Sequence, residues 1–123
     1  MRLLVCGGRD LRDRIFVRDT LDKYVRAGDA TALIMQGGGD GADELARWWA
    51  LHRGIPNIEV PALWDWHGKS AGPIRNAYMI QLAKMLGIEM VVAFPGGPGT
   101  ADMIRRSEQA GIQVVRAKSD ATP

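Results

Sequence analysis

The chain has 123 residues, 46% hydrophobic and 24% charged, with a formal net charge of +2. That length suits one ordinary core and not two, and interspersed charges of both signs give no strong pull toward nucleic acid or a membrane surface. A single cysteine, Cys6, excludes an internal disulfide and a multi-cysteine metal site, and His52 and His67 share neither a helical nor a strand spacing, so no metal is expected.

The first element is the apolar run Leu3–Cys6, too short for a signal peptide and followed at once by Gly7-Gly8-Arg9-Asp10. A helical stripe follows through Val17, Leu21, Tyr24 and Val25, and then a second apolar run, Ala32–Met35. The segment Gln36-Gly37-Gly38-Gly39-Asp40-Gly41-Ala42-Asp43 leads into a second helical stripe on Leu45, Ala46, Trp49 and Ala50. A third run, Ile58–Val60, precedes a long connection from Pro61 to Gly72. The third stripe passes through Ile74, Tyr78, Met79, Leu82, Ala83 and Leu86 and reaches the run Met90–Phe94. After Pro95-Gly96-Gly97-Pro98-Gly99-Thr100, a weaker stripe on Met103, Ile104 and Ala110 leads to Ile112–Val115.

Most of these runs are continuous rather than alternating, as in parallel strands covered on both faces. Strands and helices in alternation with short connections predict an α/β fold. The expectation is a single Rossmann-like domain over residues 1–116, with a parallel sheet of about five strands and helices on both faces. Residues 117–123, small and polar, are expected to form a flexible C-terminal tail. No run approaches the ~20 apolar residues of a membrane span, so the reading is a cytoplasmic protein with no membrane partner.

Gly28, Gly54, Gly87 and Gly111 each follow a helical segment and read as C-caps. The other eleven of the fifteen glycines fall between a strand and the next helix. That is the rim where open α/β sheets bind their ligands. In Pro95-Gly96-Gly97-Pro98-Gly99-Thr100, Pro98 suits the first helical position. Unpaired N–H groups, the helix dipole and the Thr100 hydroxyl there favour an anion such as phosphate. Gly37, Gly38 and Gly39 form a second loop, in which Asp40 either caps the next helix or meets the ligand. Gly7, Gly8 and Arg9 form a third, where Arg9 either meets phosphate or pairs with Asp10 or Asp13. The Pro61–Gly72 connection is long enough to be functional. Of Trp64 and Trp66, one is expected to plug the sheet edge and the other to line the site, and Trp66 is counted with the ligand-binding residues. Lys69 is a further phosphate partner. Arg75, read as lying in the first turn of a helix begun near Pro73, stands where the dipole disfavours a cation and so points to a phosphate or carboxylate partner. Asn76 is its companion.

Taken together, Cys6–Asp10, Gly37–Asp43, Ala71–Asn76 and Phe94–Thr100 resemble the SLOG superfamily, in particular its YspA/YpsA-related branch. The resemblance runs through nearly the whole domain in order. It implies a Rossmann-like sheet that binds a nucleotide or nucleotide-derived ligand, as a sensor or ligand-binding protein, and points to no particular cofactor beyond that ligand. It also implies a homodimer or higher homo-oligomer; the pair Trp48-Trp49, which one helix face cannot easily bury, fits an interface. The lonely-guy phosphoribohydrolases of the superfamily carry Pro-Gly-Gly-x-Gly-Thr-x-x-Glu together with an arginine early in the preceding helix. Here Pro95–Thr100 and Arg75 match, but Met103 stands where the glutamate is expected. A carboxylate there would activate water and stabilise an oxocarbenium-like state, and methionine does neither. Asp40, Asp43 and Asp102 are the candidate replacements if the protein is a nucleotide-processing enzyme. Binding of single-stranded nucleic acid, known in the DNA-processing A proteins of the same superfamily, is the third reading, disfavoured by the low net charge.

Overall fold

The computed structural model describes residues 1–119. Five strands form one sheet: β1 (Arg2–Cys6), β2 (Leu33–Gln36), β3 (Asn57–Glu59), β4 (Met90–Ala93) and β5 (Gln113–Arg116). All neighbours pair in parallel, in the order β3-β2-β1-β4-β5. The helices are α1 (Arg14–Tyr24), α2 (Ala42–Arg53), α3 (Trp64–His67), α4 (Ala71–Leu86) and α5 (Pro98–Gln109), with a 3-10 turn at Gly68–Ser70 joining α3 to α4. The α/β fold expected from the sequence is therefore present, with the strand order reversing between β1 and β4.

Continuous apolar strands need cover on both sides, and the burial pattern supplies it. Leu3, Leu4 and Val5 are fully buried. Successive side chains point to opposite faces: Leu3 and Val5 join Val17, Leu21, Ala46 and Trp49 from α1 and α2, whereas Leu4 joins Met79, Ala83 and Met103 from α4 and α5. The largest single contribution is Trp49, buried to 1% exposure with its indole N–H donating to the Asp22 carboxylate at 2.8 Å. Arg53 grips the same carboxylate with two nitrogens.

Four sequence expectations change. Ile74 and Tyr78 are 44% and 55% exposed, not core. Helix α4 is apolar on more than one face, so periodicity alone could not pick the buried one; the sheet takes Ala71, Met79, Ile80 and Ala83. Neither Trp64 nor Trp66 plugs the sheet edge, because both sit on the short exposed helix α3. Asp40 does not cap α2: the N-cap is Gly41, and no side chain bonds there. Helix α4 begins at Ala71, so Arg75 is its fifth residue and stands beyond the first turn. Of the pair Trp48-Trp49, Trp48 lies half-buried against His52 and Arg14. At the chain end, the Ala117 N–H donates to the Ala93 carbonyl at 2.8 Å and extends the β4–β5 ladder; positions 120–123 of the expected tail lie outside the described residues.

The loop after β1 is held by close approach. A Cβ built on Gly7 would lie 2.6 Å from the Cβ of Ala42 and 2.8 Å from that of Phe94. Overpacking of this kind costs about 1–3 kcal/mol. Gly7→Ala is expected to lower the urea midpoint by a corresponding amount without changing the unfolding slope. An unchanged midpoint would show that the β1 loop yields easily.

Candidate functional site

The C-terminal ends of β1, β2 and β4 open into a cleft of about 660 Å³, within the range of small-molecule sites. Its walls come from the loop after β1, the start of α2, α3 and the first turns of α4 and α5.

Many of the rim glycines answer to packing before they answer to any ligand. The Gly8 N–H donates to the Pro95 carbonyl at 2.8 Å, and its carbonyl accepts from the Ala42 N–H at 3.1 Å. A Cβ on Gly8 would meet the Pro95 oxygen at 2.8 Å, and one on Gly96 would meet Thr100 Oγ1 and the Gly8 nitrogen. Pro95, Gly96, Gly38 and Trp66, expected from the sequence among the ligand contacts, lie outside the cleft lining. Pro95 and Gly96 face the β1 loop, Gly38 turns at a positive φ against Glu59, and Trp66 is 83% exposed outside the cleft.

Gly97 and Gly99 differ from those glycines. A Cβ on either would meet nothing within 4 Å, yet both line the cleft at the start of α5. No acidic residue occupies the first turn of α5, and Pro98 takes its first position. Thr100, buried beside them, lines the same wall. Three further cations face this space. Arg9 lies over the Trp64 ring at 5.3 Å and, among the described residues, makes no ion pair with Asp10 or Asp13. Lys69 and Arg105 also line the cleft. Trp64 rather than Trp66 is the cleft aromatic. Arg105 escaped the sequence reading, although its spacing from Pro98 and Asp102 places all three on one helix face.

The opposite wall is acidic. Asp43 Oδ2 accepts the Gly39 N–H at 3.1 Å. A Cβ on Gly37 would meet Arg75 Nη1 at 2.4 Å and Asp43 Oδ2 at 3.1 Å, so this glycine leaves room for a carboxylate and a guanidinium on one spot of backbone. Burial pushes the Asp43 carboxyl up to about 6, against the opposing pull of the Gly39 and Gly37 amides and of Arg75. Cys6, at the floor, is pushed up to about 12 by burial and then by Asp43, so its thiol stays protonated and unreactive. Asp40 is exposed at the rim.

Arg75 and Asn76 are tied into the wall. Arg75 Nη1 donates to the Gly37 carbonyl at 2.7 Å and the Val60 carbonyl at 3.4 Å, while Nε donates to Asn76 Oδ1 at 2.9 Å. Asn76 is 4% exposed, and its Nδ2 donates to the Gly99 carbonyl and to Asp102 Oδ2. Burial raises the Asp102 carboxyl, but hydrogen bonds from Arg106 and Asn76 outweigh it and hold the group below its ordinary value. Asp102 also pairs with Arg105. This cluster clips α4 to the head of α5. Gln36, fully buried and missed in the sequence, does similar work at β2, donating to Asn57 and Glu59 and accepting from the Gly38 N–H. Met103, buried in the α4/α5 core, also lines the cleft. Among the described residues, no three His, Cys, Asp or Glu side chains gather to hold a metal ion, and no helix is long and apolar enough to cross a membrane.

The chain matches the family model YAcAr, described as the YspA, cpYpsA-related SLOG family, over residues 1–67. It is also 35% identical over 122 residues to the gene 61 protein of Mycobacterium phage D29, covering 93% of this chain and 94% of that protein. The chain belongs to the YAcAr family. The matched stretch of this YAcAr protein contains the β1 loop, the Gly37–Asp43 loop and Trp64, whereas Arg75 and the head of α5 lie beyond it.

Because folding raises the Asp43 pKa above its ordinary 3.8, the folded state holds this proton more tightly than the unfolded chain. The stabilisation is complete below about pH 4 and is lost as pH rises through about 6. Asp43→Asn, which removes the ionisation, is therefore expected to stabilise the protein by about 1–3 kcal/mol at pH 8, a gain that vanishes near pH 4. Urea unfolding at the two pH values measures it; equal effects at both would show that Asp43 is not held against its ionisation.

Proposed function

We propose that this YAcAr protein binds a nucleotide or nucleotide-derived ligand, seating its phosphate at the head of α5. The observation that carries the reading is the unfilled space over Gly97 and Gly99, in a loop whose one other glycine, Gly96, is closely packed. Backbone N–H groups at a helix N-terminus favour an anion there, and Arg9, Lys69 and Arg105 line the same cleft. Trp64 offers a nucleobase an aromatic face at the rim. The role is that of a ligand-binding protein or sensor in the cytoplasm.

Gly97→Val is expected to abolish AMP binding in calorimetry while leaving the circular dichroism unchanged, since the added side chain meets open space and not protein. Undiminished AMP binding by the variant would mean that the head of α5 is only a turn.

A second reading, hydrolysis of the bound nucleotide, is favoured by Asp43. A carboxyl poised near neutrality at a cleft wall has the proton affinity of a general base. Met103, buried and without a proton acceptor, contributes no such chemistry. The expected outcome is AMP binding without release of free adenine over hours at micromolar protein. Release that disappears in Asp43→Asn would establish the enzyme instead.

The same reading extends to assembly, as a homodimer through the outer face of α4. Ile74, Tyr78 and Met85 stand 44%, 55% and 80% exposed along that helix, and a helix apolar on both faces usually has cover on both. Sedimentation is expected to give a dimer, converted to a folded monomer by Tyr78→Glu with Met85→Glu. A monomeric parent protein would reject the interface.

A further inference from the structure

The cleft is electrically divided, and the division constrains what can lie across it. On the β4 side are the head of α5 with Gly97, Gly99 and Thr100, and Arg105 one turn or more further along that helix, where the Asp102 carboxylate is held by Arg105, Arg106 and Asn76. On the β2 side is Asp43, the second residue of α2. Its Oδ2 accepts the Gly39 N–H, and the Gly39 and Gly37 amides together do not offset its burial, so a carboxylate with acceptor capacity for further donors lines the cleft. A carboxylate accepts and does not donate. Whatever part of a ligand meets Asp43 must therefore supply O–H or N–H groups, and a phosphate is repelled from it.

An ammonium group would also be disfavoured, because Arg75 reaches the same Gly37 backbone and already supplies the positive charge. A neutral donor remains. Strand β1 separates β2 from β4, so the two walls stand two strand spacings apart, about 10 Å. That span suits a sugar phosphate with a hydrogen bond at each end, phosphate on α5 and ring hydroxyls on Asp43.

Resting on the phosphate seat proposed above, we propose that Asp43 holds the vicinal hydroxyls of a ribose-type sugar, so that the cleft selects ribonucleotides over 2′-deoxyribonucleotides. Two adjacent hydroxyls give the carboxylate two donors, and removal of one leaves a partly buried acceptor poorly matched. The raised proton affinity of Asp43 is consistent with this, since a carboxyl whose burial outweighs its amide hydrogen bonds gains from further ligand donors. A nucleobase amino group is also a neutral donor, and the choice of probes separates it from the sugar.

The experiment is calorimetry on the full chain with AMP, dAMP, IMP, ribose 5-phosphate, 2-deoxyribose 5-phosphate and inorganic phosphate. The parent protein is expected to prefer AMP to dAMP, and ribose 5-phosphate to its deoxy analogue, by about tenfold or more. In Asp43→Asn, the amide oxygen stays on the Gly39 N–H and the NH₂ group, a donor, turns to the sugar. Both preferences should then fall to about twofold or less, while affinity for inorganic phosphate is unchanged or higher. Circular dichroism confirms that the variant is folded. Equal binding of ribo and deoxy ligands by the parent protein overturns the proposal, as does a preference that survives in Asp43→Asn. A preference for AMP over IMP that Asp43→Asn removes, without ribose discrimination, assigns Asp43 to the base and overturns it too. If no probe binds, the phosphate seat fails and this proposal falls with it; binding of phosphate without hydroxyl discrimination overturns this proposal alone.

Discussion

The backbone of Gly8 is the point on which the rim of this protein depends. Its N–H and carbonyl reach two different loops, Pro95 before α5 and Ala42 at the start of α2. The two layers of helices lie on opposite faces of the sheet and belong to separate clusters of buried side chains. They meet at the C-terminal edge through this residue, and a side chain there would collide with the Pro95 oxygen. The relative position of the acidic wall and the α5 wall is therefore fixed by main chain rather than by long side chains. Main-chain contacts of this kind hold geometry more closely than surface ion pairs, which contribute little in water.

What the sequence disclosed followed from how local the underlying physics is. Continuous apolar runs revealed the parallel strands, because cover on both faces removes the need for alternation. Periodicity failed for α4, where Ile74 and Met79 are equally apolar and only the sheet decides which is buried. The glycines were correctly placed on the C-terminal rim of the sheet, but their reasons could not be separated in one dimension. Gly7, Gly8 and Gly96 admit neighbouring loops, Gly37 admits Arg75 and Asp43, and Gly97 and Gly99 face open space. The α3 tryptophans were likewise ambiguous until the fold placed one of them beside Arg9.

Asp43 and Asp102 show how similar residues diverge by environment. Both lie near the cleft, and both are partly buried. Asp102 has Arg106, Arg105 and Asn76 around it and stays readily ionised. Asp43 has backbone amides and a guanidinium that serves mainly the Gly37 carbonyl, and these do not offset its burial. Had Asp43 been chosen for stability alone, a direct ion pair or a neutral amide would serve better. Structural ion-pair networks and functional sites both perturb ionisation, and Asp43 faces the cleft with its burial not offset.

The four tryptophans occupy four different surroundings: Trp49 in the core against Asp22, Trp48 tilted against His52, Trp64 under Arg9 at the cleft, and Trp66 in solvent. Indole emission shifts with polarity and with nearby charge, so these positions differ optically as well as sterically. Trp64 alone among them borders the space a ligand would enter. The protein thus carries its own fluorescent reporter at the mouth of the cleft, with the two indoles of α2 as an internal reference against which its signal can be read.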